Sequence, residues 1–161
     1  MHEMFDRIVT LRVGDVMTAD PITIDASSSI AQVSHLLVAN RLHSMPVVDD
    51  LGNCIGVISA SDFVKRTEIY SESDQQPHEV VHGEEGILIE PRSYDYVSDC
   101  MSPCVQTVSP GTPLIQAAKI MTSARLHVLP VVEDHKPVGI LSNLDVVAAL
   151  VNAFDEAKHS M

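Results

Sequence analysis

The sequence predicts a mixed α/β fold, α+β in its layering, built from two copies of one β-α-β-β-α unit packed together. Three observations predict it. The phrase RLHSMPVV at 41–48 returns as RLHVLPVV at 125–132, with six of eight positions identical. Hydrophobic residues make up 45% of the 161-residue chain but aromatics only 4%, so any core must be assembled from Val, Ile, Leu and Met. Within each copy, apolar residues recur first at helical spacing and then as short strand-like runs.

The match extends outward from the repeated phrase. At an offset of 84, Val13-Gly-Asp-Val-Met17 falls on Val97-Ser-Asp-Cys-Met101, Thr23-Ile24 on Thr107-Val108, and Gln32 on Gln116. Beyond the phrase the offset drops to 83, pairing Ile55–Ser59 with Val138–Ser142 and Asp62 with Asp145. The lost residue lies in a turn, where a length change is tolerated. The copies are therefore 13–66 and 97–150. A lead-in (1–12) precedes them, an acidic linker (67–96) joins them, and a helical extension (151–161) follows.

Each copy opens on a short extended piece, Ile22–Ile24 or Gln106–Val108. A helix comes next. In the second copy Thr112-Pro113 reads as an N-cap followed by proline at the first helical position. Equivalence makes Ser28 the cap in the first copy, with Ser29-Ile-Ala-Gln32 fitting a capping box as the alternative. Ile30, Val33, Leu36 and Leu37 form the apolar stripe, matched by Leu114, Ala117, Ala118 and Met121; the helices end near Asn40 and Ala124. Met45–Val48 and Cys54–Ile58 then form a hairpin, repeated by Val131-Val132 and Val138–Leu141. These strands are almost wholly apolar, as strands covered by helices are. A second helix starts near Ser61 and near Asn143, the latter running amphipathically through Leu150, Val151 and Phe154. A single unit leaves a sheet face bare, so the two pack together.

Charge narrows the partners. The net charge is −12, and residues 67–96 alone hold eight acids against one base. A chain with no basic stripe repels nucleic acid and anionic lipid over most of its surface. No apolar run approaches the ~20 residues that span a bilayer, and the start MHEMFDRIVTLR lacks a signal peptide's apolar stretch. Three cysteines (Cys54, Cys100, Cys104) form no disulfide framework and point to a reducing compartment. The expectation is a soluble cytoplasmic protein with no nucleic-acid partner and no membrane insertion. Cys100 and Cys104 lack the companions of a zinc set, and read as one buried thiol and one near a turn. His78 and His82 have i,i+4 spacing, but Pro77 and Gly83 argue against a helix to present them, so no metal is expected. SESDQQPHEVVHGEEG reads as a solvated loop, with Ile87-Leu-Ile89 packing back on the module or adding an edge strand.

Strand, helix, PVV hairpin and then Gly56-Val-Ile-Ser59-Ala-Ser-Asp62, repeated as Gly139-Ile-Leu-Ser142-Asn-Leu-Asp145, resembles the CBS domain in tandem. The resemblance covers both copies and implies a stand-alone regulatory module, a pseudo-twofold pair of units (a Bateman module) with two clefts between its sheets. It further implies an adenosine-containing ligand: AMP, ADP, ATP, S-adenosylmethionine or a nicotinamide dinucleotide, with no cofactor required.

Read from the residues alone, Ser59, Asp62, Ser142 and Asp145 suit helix capping. The same geometry offers backbone N–H groups and a hydroxyl to phosphate, and a carboxylate to both hydroxyls of a ribose. The resemblance assigns Asp62 and Asp145 to ribose, with Ser59 and Ser142 at ribose or phosphate. It assigns the adenine wall and its backbone contacts to Ile22, Thr23, Met45, Pro46 and Val47, and to Gln106, Thr107, Leu129, Pro130 and Val131; the plain alternative is that all are core. Arg41, His43, Arg125 and His127 suit phosphate oxygens, or serve a helix C-terminus locally. No nucleophile elbow, glycine-rich phosphate loop or catalytic set is legible, so no catalytic residue is named and no enzyme is expected. Two readings follow. One is a homodimeric sensor, paired through the helix from 143, whose occupancy a separate effector protein reads. The other is a ligand-free dimeric scaffold acting through the acidic 67–96 loop.

Overall fold

The computed structural model describes residues 2–65, 82–83, 86–87, 96–104 and 106–159. Helix α1 (His2–Thr10) and the short α2 (Val13–Val16) lead into β1 (Thr18–Ala19) and β2 (Ile24–Asp25). Then come α3 (Ile30–Ala39), β3 (Ser44–Val48), β4 (Cys54–Ser59) and a helix α4 over 60–65. Two short strands, β5 (His82–Gly83) and β6 (Gly86–Ile87), precede a 3-10 turn at Val97–Asp99 and β7 (Ser102–Pro103). Helix α5 (Leu114–Ala124), β8 (Val128–Glu133), β9 (Lys136–Ser142) and α6 (Asn143–His159) complete the chain.

The two apolar hairpins form where the sequence places them, with Met45 opposite Ile58 and Leu129 opposite Leu141. Each gains a parallel neighbour: β2 beside β3, and the bridge of Val108 to Val131. The outer strand of each sheet comes from the other copy. β7 leads into the second copy yet pairs with β4, while β1 leads into the first copy yet pairs with β9. The cores are exchanged in the same way. Ile24, Val33, Leu37, Met45, Val47 and Ile58 pack with Val97, Cys100 and Met101. Val108, Leu114, Met121, Leu129, Val131 and Leu141 pack with Leu11, Val13, Val16 and Met17.

The exchange explains two matched features of the repeat. Met101 crosses over Gly56 and Met17 over Gly139. A Cβ on Gly56 would lie 2.7 Å from Met101 Sδ and 2.9 Å from the Ser102 carbonyl oxygen. Glycine inside a strand here serves close approach of a neighbouring backbone.

The helix starts decide between the two caps read for the first copy and correct the second by one residue. Ser29, not Ser28, caps α3, with its hydroxyl on the Gln32 N–H and the Gln32 side chain returning to Ser29. Pro113, not Thr112, holds the N-cap of α5 at φ −55° and ψ 133°. The Thr112 hydroxyl is already engaged in the preceding turn, where it accepts from the Ser109 N–H at 3.1 Å. Both helices end on an arginine at positive φ, Arg41 at 53° and Arg125 at 54°. The following Leu42 and Leu126 N–H groups reach back to Leu37 and Met121 carbonyls. That is the Schellman closure, whose left-handed position glycine normally takes.

The hairpin turns also face each other. In the first, Gly52 sits at φ 78° and the Asp49 carboxylate accepts from Leu51 and Asn53 N–H groups. The Asn53 backbone bond chiefly holds the Asp49 carboxyl below its usual range. Across the gap, Lys136 Nζ donates to the Leu51 carbonyl and the Cys54 N–H donates to the His135 carbonyl.

Helix α6 presents much of its apolar face outward. Ala149 and Ala153 are its buried residues, while Leu144, Val147, Val151 and Phe154 are half exposed or more. Small residues let α6 lie close on the core and turn its larger apolar side chains outward. At its far end, α1 crosses it through an Arg7–Glu156 ion pair of 2.7 Å, solvent-exposed and therefore worth under about 1 kcal/mol. Of the acidic linker, β5 and β6 pair with each other in a sheet of their own. This corrects the loop expectation locally, and Ile87 adds no edge strand to the main sheets. Leu88, Ile89 and His78 lie outside the described residues.

Candidate functional site

At the end of β4 the chain turns directly into α4, and Ser59 caps the new helix. Asp62 Oδ2 accepts from the Ser59 N–H at 2.8 Å and from its hydroxyl at 2.9 Å. The second copy repeats the closure. Asp145 Oδ2 accepts from the Ser142 N–H at 2.7 Å and its hydroxyl at 2.8 Å, and the Asp145 N–H returns to Ser142 Oγ. In both motifs the acid at the third helical position is Asp and reaches back to the serine, and in the second the return bond from the Asp145 N–H completes a capping box. They differ in one partner: Ser102, on the exchanged strand β7, donates to Asp62 Oδ1 at 3.4 Å. Among the described residues Asp145 Oδ1 accepts no hydrogen bond.

Asp62 stands at the edge of a cavity of about 680 Å³ between the copies, within the range of small-molecule sites. The first copy contributes His43, Ser59, Asp62 and Lys65; the second contributes Gln106, Arg125, His127 and Pro130. Val57, Pro103, Leu126 and Val128 give it apolar surface. Lys65, Arg125 and two imidazoles face one carboxylate, so the mouth is locally positive in a strongly acidic chain. Such a site suits a dianion, with a single carboxylate beside it as a further acceptor for hydroxyl groups.

Seven of the sequence-predicted residues therefore share one cavity: His43, Ser59, Asp62, Gln106, Arg125, His127 and Pro130. Ser142, Asp145, Ile22, Thr23 and Arg41 do not line it, nor does Thr107. The adenine wall needs a correction. Met45, Val47, Leu129 and Val131 are fully buried in the cores and Pro46 is buried with them, leaving no side-chain surface for a ligand. Strands covered on both faces consume these residues as packing. Of the wall residues expected on strands β3 and β8 the cleft keeps only Pro130, with Val57 and Val128 beside it. The sequence reading missed Lys65, Ser102 and Cys104. Lys65 was within reach, three residues after Asp62 on one helical face. Ser102 and Cys104 enter only through the strand exchange. Among the described residues, no three His, Cys, Asp or Glu side chains are grouped to hold a metal.

The chain is similar to known proteins in sequence and in fold. The family model described as CBS domain matches residues 13–68 and 97–152. CBSX2, a chloroplastic CBS domain-containing protein of Arabidopsis thaliana, is 29% identical over 159 residues, covering 92% of this chain and 67% of its own length. An A-adding tRNA nucleotidyltransferase of Aquifex aeolicus is 26% identical over 144 residues, but only 15% of its length is spanned. The crystal structure of CBSX2 in complex with AMP superposes with a TM-score of 0.66 at 28% identity, over 88% of this chain and 96% of that one. The CBS domain pair of protein MJ0100, in complex with 5′-methylthioadenosine and S-adenosyl-L-methionine, shares the fold at 21% identity and a TM-score of 0.69, over 88% and 97% of the chains.

Proposed function

This chain belongs to the CBS-domain family, carrying two copies of the domain in tandem, and from that premise we propose that it is a regulatory module sensing an adenine nucleotide. The observation that carries the reading is the cavity that joins Asp62 of one copy to Arg125, His127 and Gln106 of the other. The Asp62 carboxylate takes the ribose hydroxyls, and Ser59 and Ser102 hold that carboxylate in place. Pro130, Val57 and Val128 give the base an apolar seat, while Lys65, Arg125 and the imidazoles take phosphate. AMP is the first ligand to try, because the AMP-bound CBSX2 structure is the nearer in sequence of the two ligand complexes just described. A ligand spanning both copies changes how they sit together, and a separate effector protein reads that change. The cytoplasmic setting belongs to the same proposal; no described helix is long and apolar enough to cross a membrane.

The two clefts are unequal. In the repeat register, Ala148 stands where Lys65 does and Asp20 where Cys104 does. The cleft at Asp145 thereby loses one cation and gains an acid, so the phosphate-bearing ligand belongs in the cleft at Asp62.

Arg125→Gly tests the phosphate role without a penalty to folding. Glycine suits φ 54° better than arginine, so stability is expected to hold or rise slightly. Calorimetric titration is expected to show AMP binding weakened about tenfold, the loss of one charge-assisted contact, with adenosine unaffected. Equal binding of AMP by both proteins would remove Arg125 from the site. The scaffold reading predicts no AMP binding to either.

Leu144, Val147, Val151 and Phe154 recur at spacings of three, four and three along α6, the seam of a helix pair. A twofold pairing presents the same stripe from each chain, and we assign the homodimer contact there. In sedimentation, Val151→Glu is expected to convert dimer to monomer at micromolar concentration with the helix content retained. A dimer that survives the change would place the contact elsewhere.

A further inference from the structure

We infer that Cys54 and Cys104 are a redox pair, closing reversibly to a disulfide that fastens the exchanged strand β7 to β4 at the side of the cleft. Their sulfurs stand 3.4 Å apart. Both strands are already in register around them, with Gly56 opposite Pro103 and the Cys104 N–H donating to the Ile55 carbonyl at 3.0 Å. A bond of about 2.05 Å therefore needs side-chain rotation rather than strand movement. Both thiols are partly exposed, and Cys104 lies on the cavity wall, which admits a small reagent. The third cysteine is placed differently: Cys100 packs against the first core. The second copy has no such pair, since Pro137 and Asp20 occupy the matching positions.

The two sulfurs are unlike. With the Cys104 thiol as donor in that contact, Cys54 is held below the ordinary thiol range and Cys104 is pushed up. Cys54 is the attacking thiolate and Cys104 the resolving thiol. With a small-molecule disulfide as oxidant, Cys54 Sγ attacks one of its sulfurs and releases one thiol, leaving a mixed disulfide. Cys104 then loses its proton and attacks Cys54 Sγ, releasing the second thiol. Two protein thiols become one disulfide, and one external disulfide becomes two thiols.

The full chain, equilibrated in graded mixtures of reduced and oxidised glutathione and quenched by alkylation, gives the test by intact mass and peptide mapping. Two thiols are expected to disappear together into a linked Cys54–Cys104 peptide, with Cys100 alkylated throughout. Closing a loop of about 50 residues is expected to raise the thermal midpoint by about 10 °C, reversed by reductant. Cys100→Ser is expected to behave as wild type, whereas Cys54→Ser and Cys104→Ser, folded by circular dichroism, show no rise. The pair is overturned if glutathione stays attached to Cys54 without a link, if the link involves Cys100, if all three thiols persist in oxidised buffer, or if the linked form melts no higher.

Discussion

Asp62→Ala is expected to weaken AMP binding at least a hundredfold while costing only about 1 kcal/mol of stability. The two effects come from different partners of one carboxylate. In the fold the carboxylate closes a cap, through Ser59 N–H and hydroxyl, and losing a cap costs about 1 kcal/mol. In the occupied site the same carboxylate accepts ribose hydroxyls, and each hydrogen bond to a charged group is worth about 1.5–3 kcal/mol. Two of them support a loss of a hundredfold or more. Asp145→Ala provides the control, because it removes the matching cap from a residue that does not line the cavity. Its stability loss is expected to be similar and its AMP affinity unchanged. Calorimetric titration and urea unfolding of both variants separate the roles. If Asp62→Ala binds AMP as wild type does, the carboxylate is a cap alone and the nucleotide site is lost from the reading.

The second large effect is on the fold. Gly56→Val is expected to destabilise the protein by about 3 kcal/mol. The added Cβ meets Met101 Sδ at 2.7 Å and the Ser102 carbonyl at 2.9 Å. Methionine can swing aside, but the carbonyl belongs to β7 and moves only with its pairing to β4. Overpacking alone costs about 1–3 kcal/mol, and withdrawing Met101 from the first core adds to it. Gly111 has nothing within 4 Å of a built Cβ, so Gly111→Ala is expected to lie within about 0.5 kcal/mol of wild type. A Gly56→Val cost near that of Gly111→Ala, measured by urea unfolding, would mean that β7 is held only loosely.

What the sequence made legible follows the physics of each element. The hairpins were readable because Met45–Val48 and Cys54–Ile58 are continuous apolar runs bounded by turns. Ser59 and Asp62 were readable because strand end, cap and acid fall within four residues. The cap at Thr112 slipped by one because a neighbouring turn competes for its hydroxyl, whereas in the first copy the capping-box pattern at Ser29 was a better guide than equivalence to Thr112. Leu150, Val151 and Phe154 announced an apolar face on α6 but not its direction; the close approach of Ala149 and Ala153 decided that. The exchange was hidden for a simpler reason. Val13–Met17 and Val97–Met101 are so alike that either segment suits either core, and local pattern carries no record of which sheet a strand joins.

That exchange has a kinetic consequence. Thr18 finds its ladder partner at Ile140, so the first strand made is completed by one of the last. Neither half of the chain can finish its sheet from its own residues, although the sequence divides cleanly in two. Long-range pairing of this kind raises contact order and slows folding, because loop closure precedes the contacts that reward it. The first copy therefore waits on the ribosome with an open sheet edge until the second arrives, and the two halves are acquired in a single cooperative event.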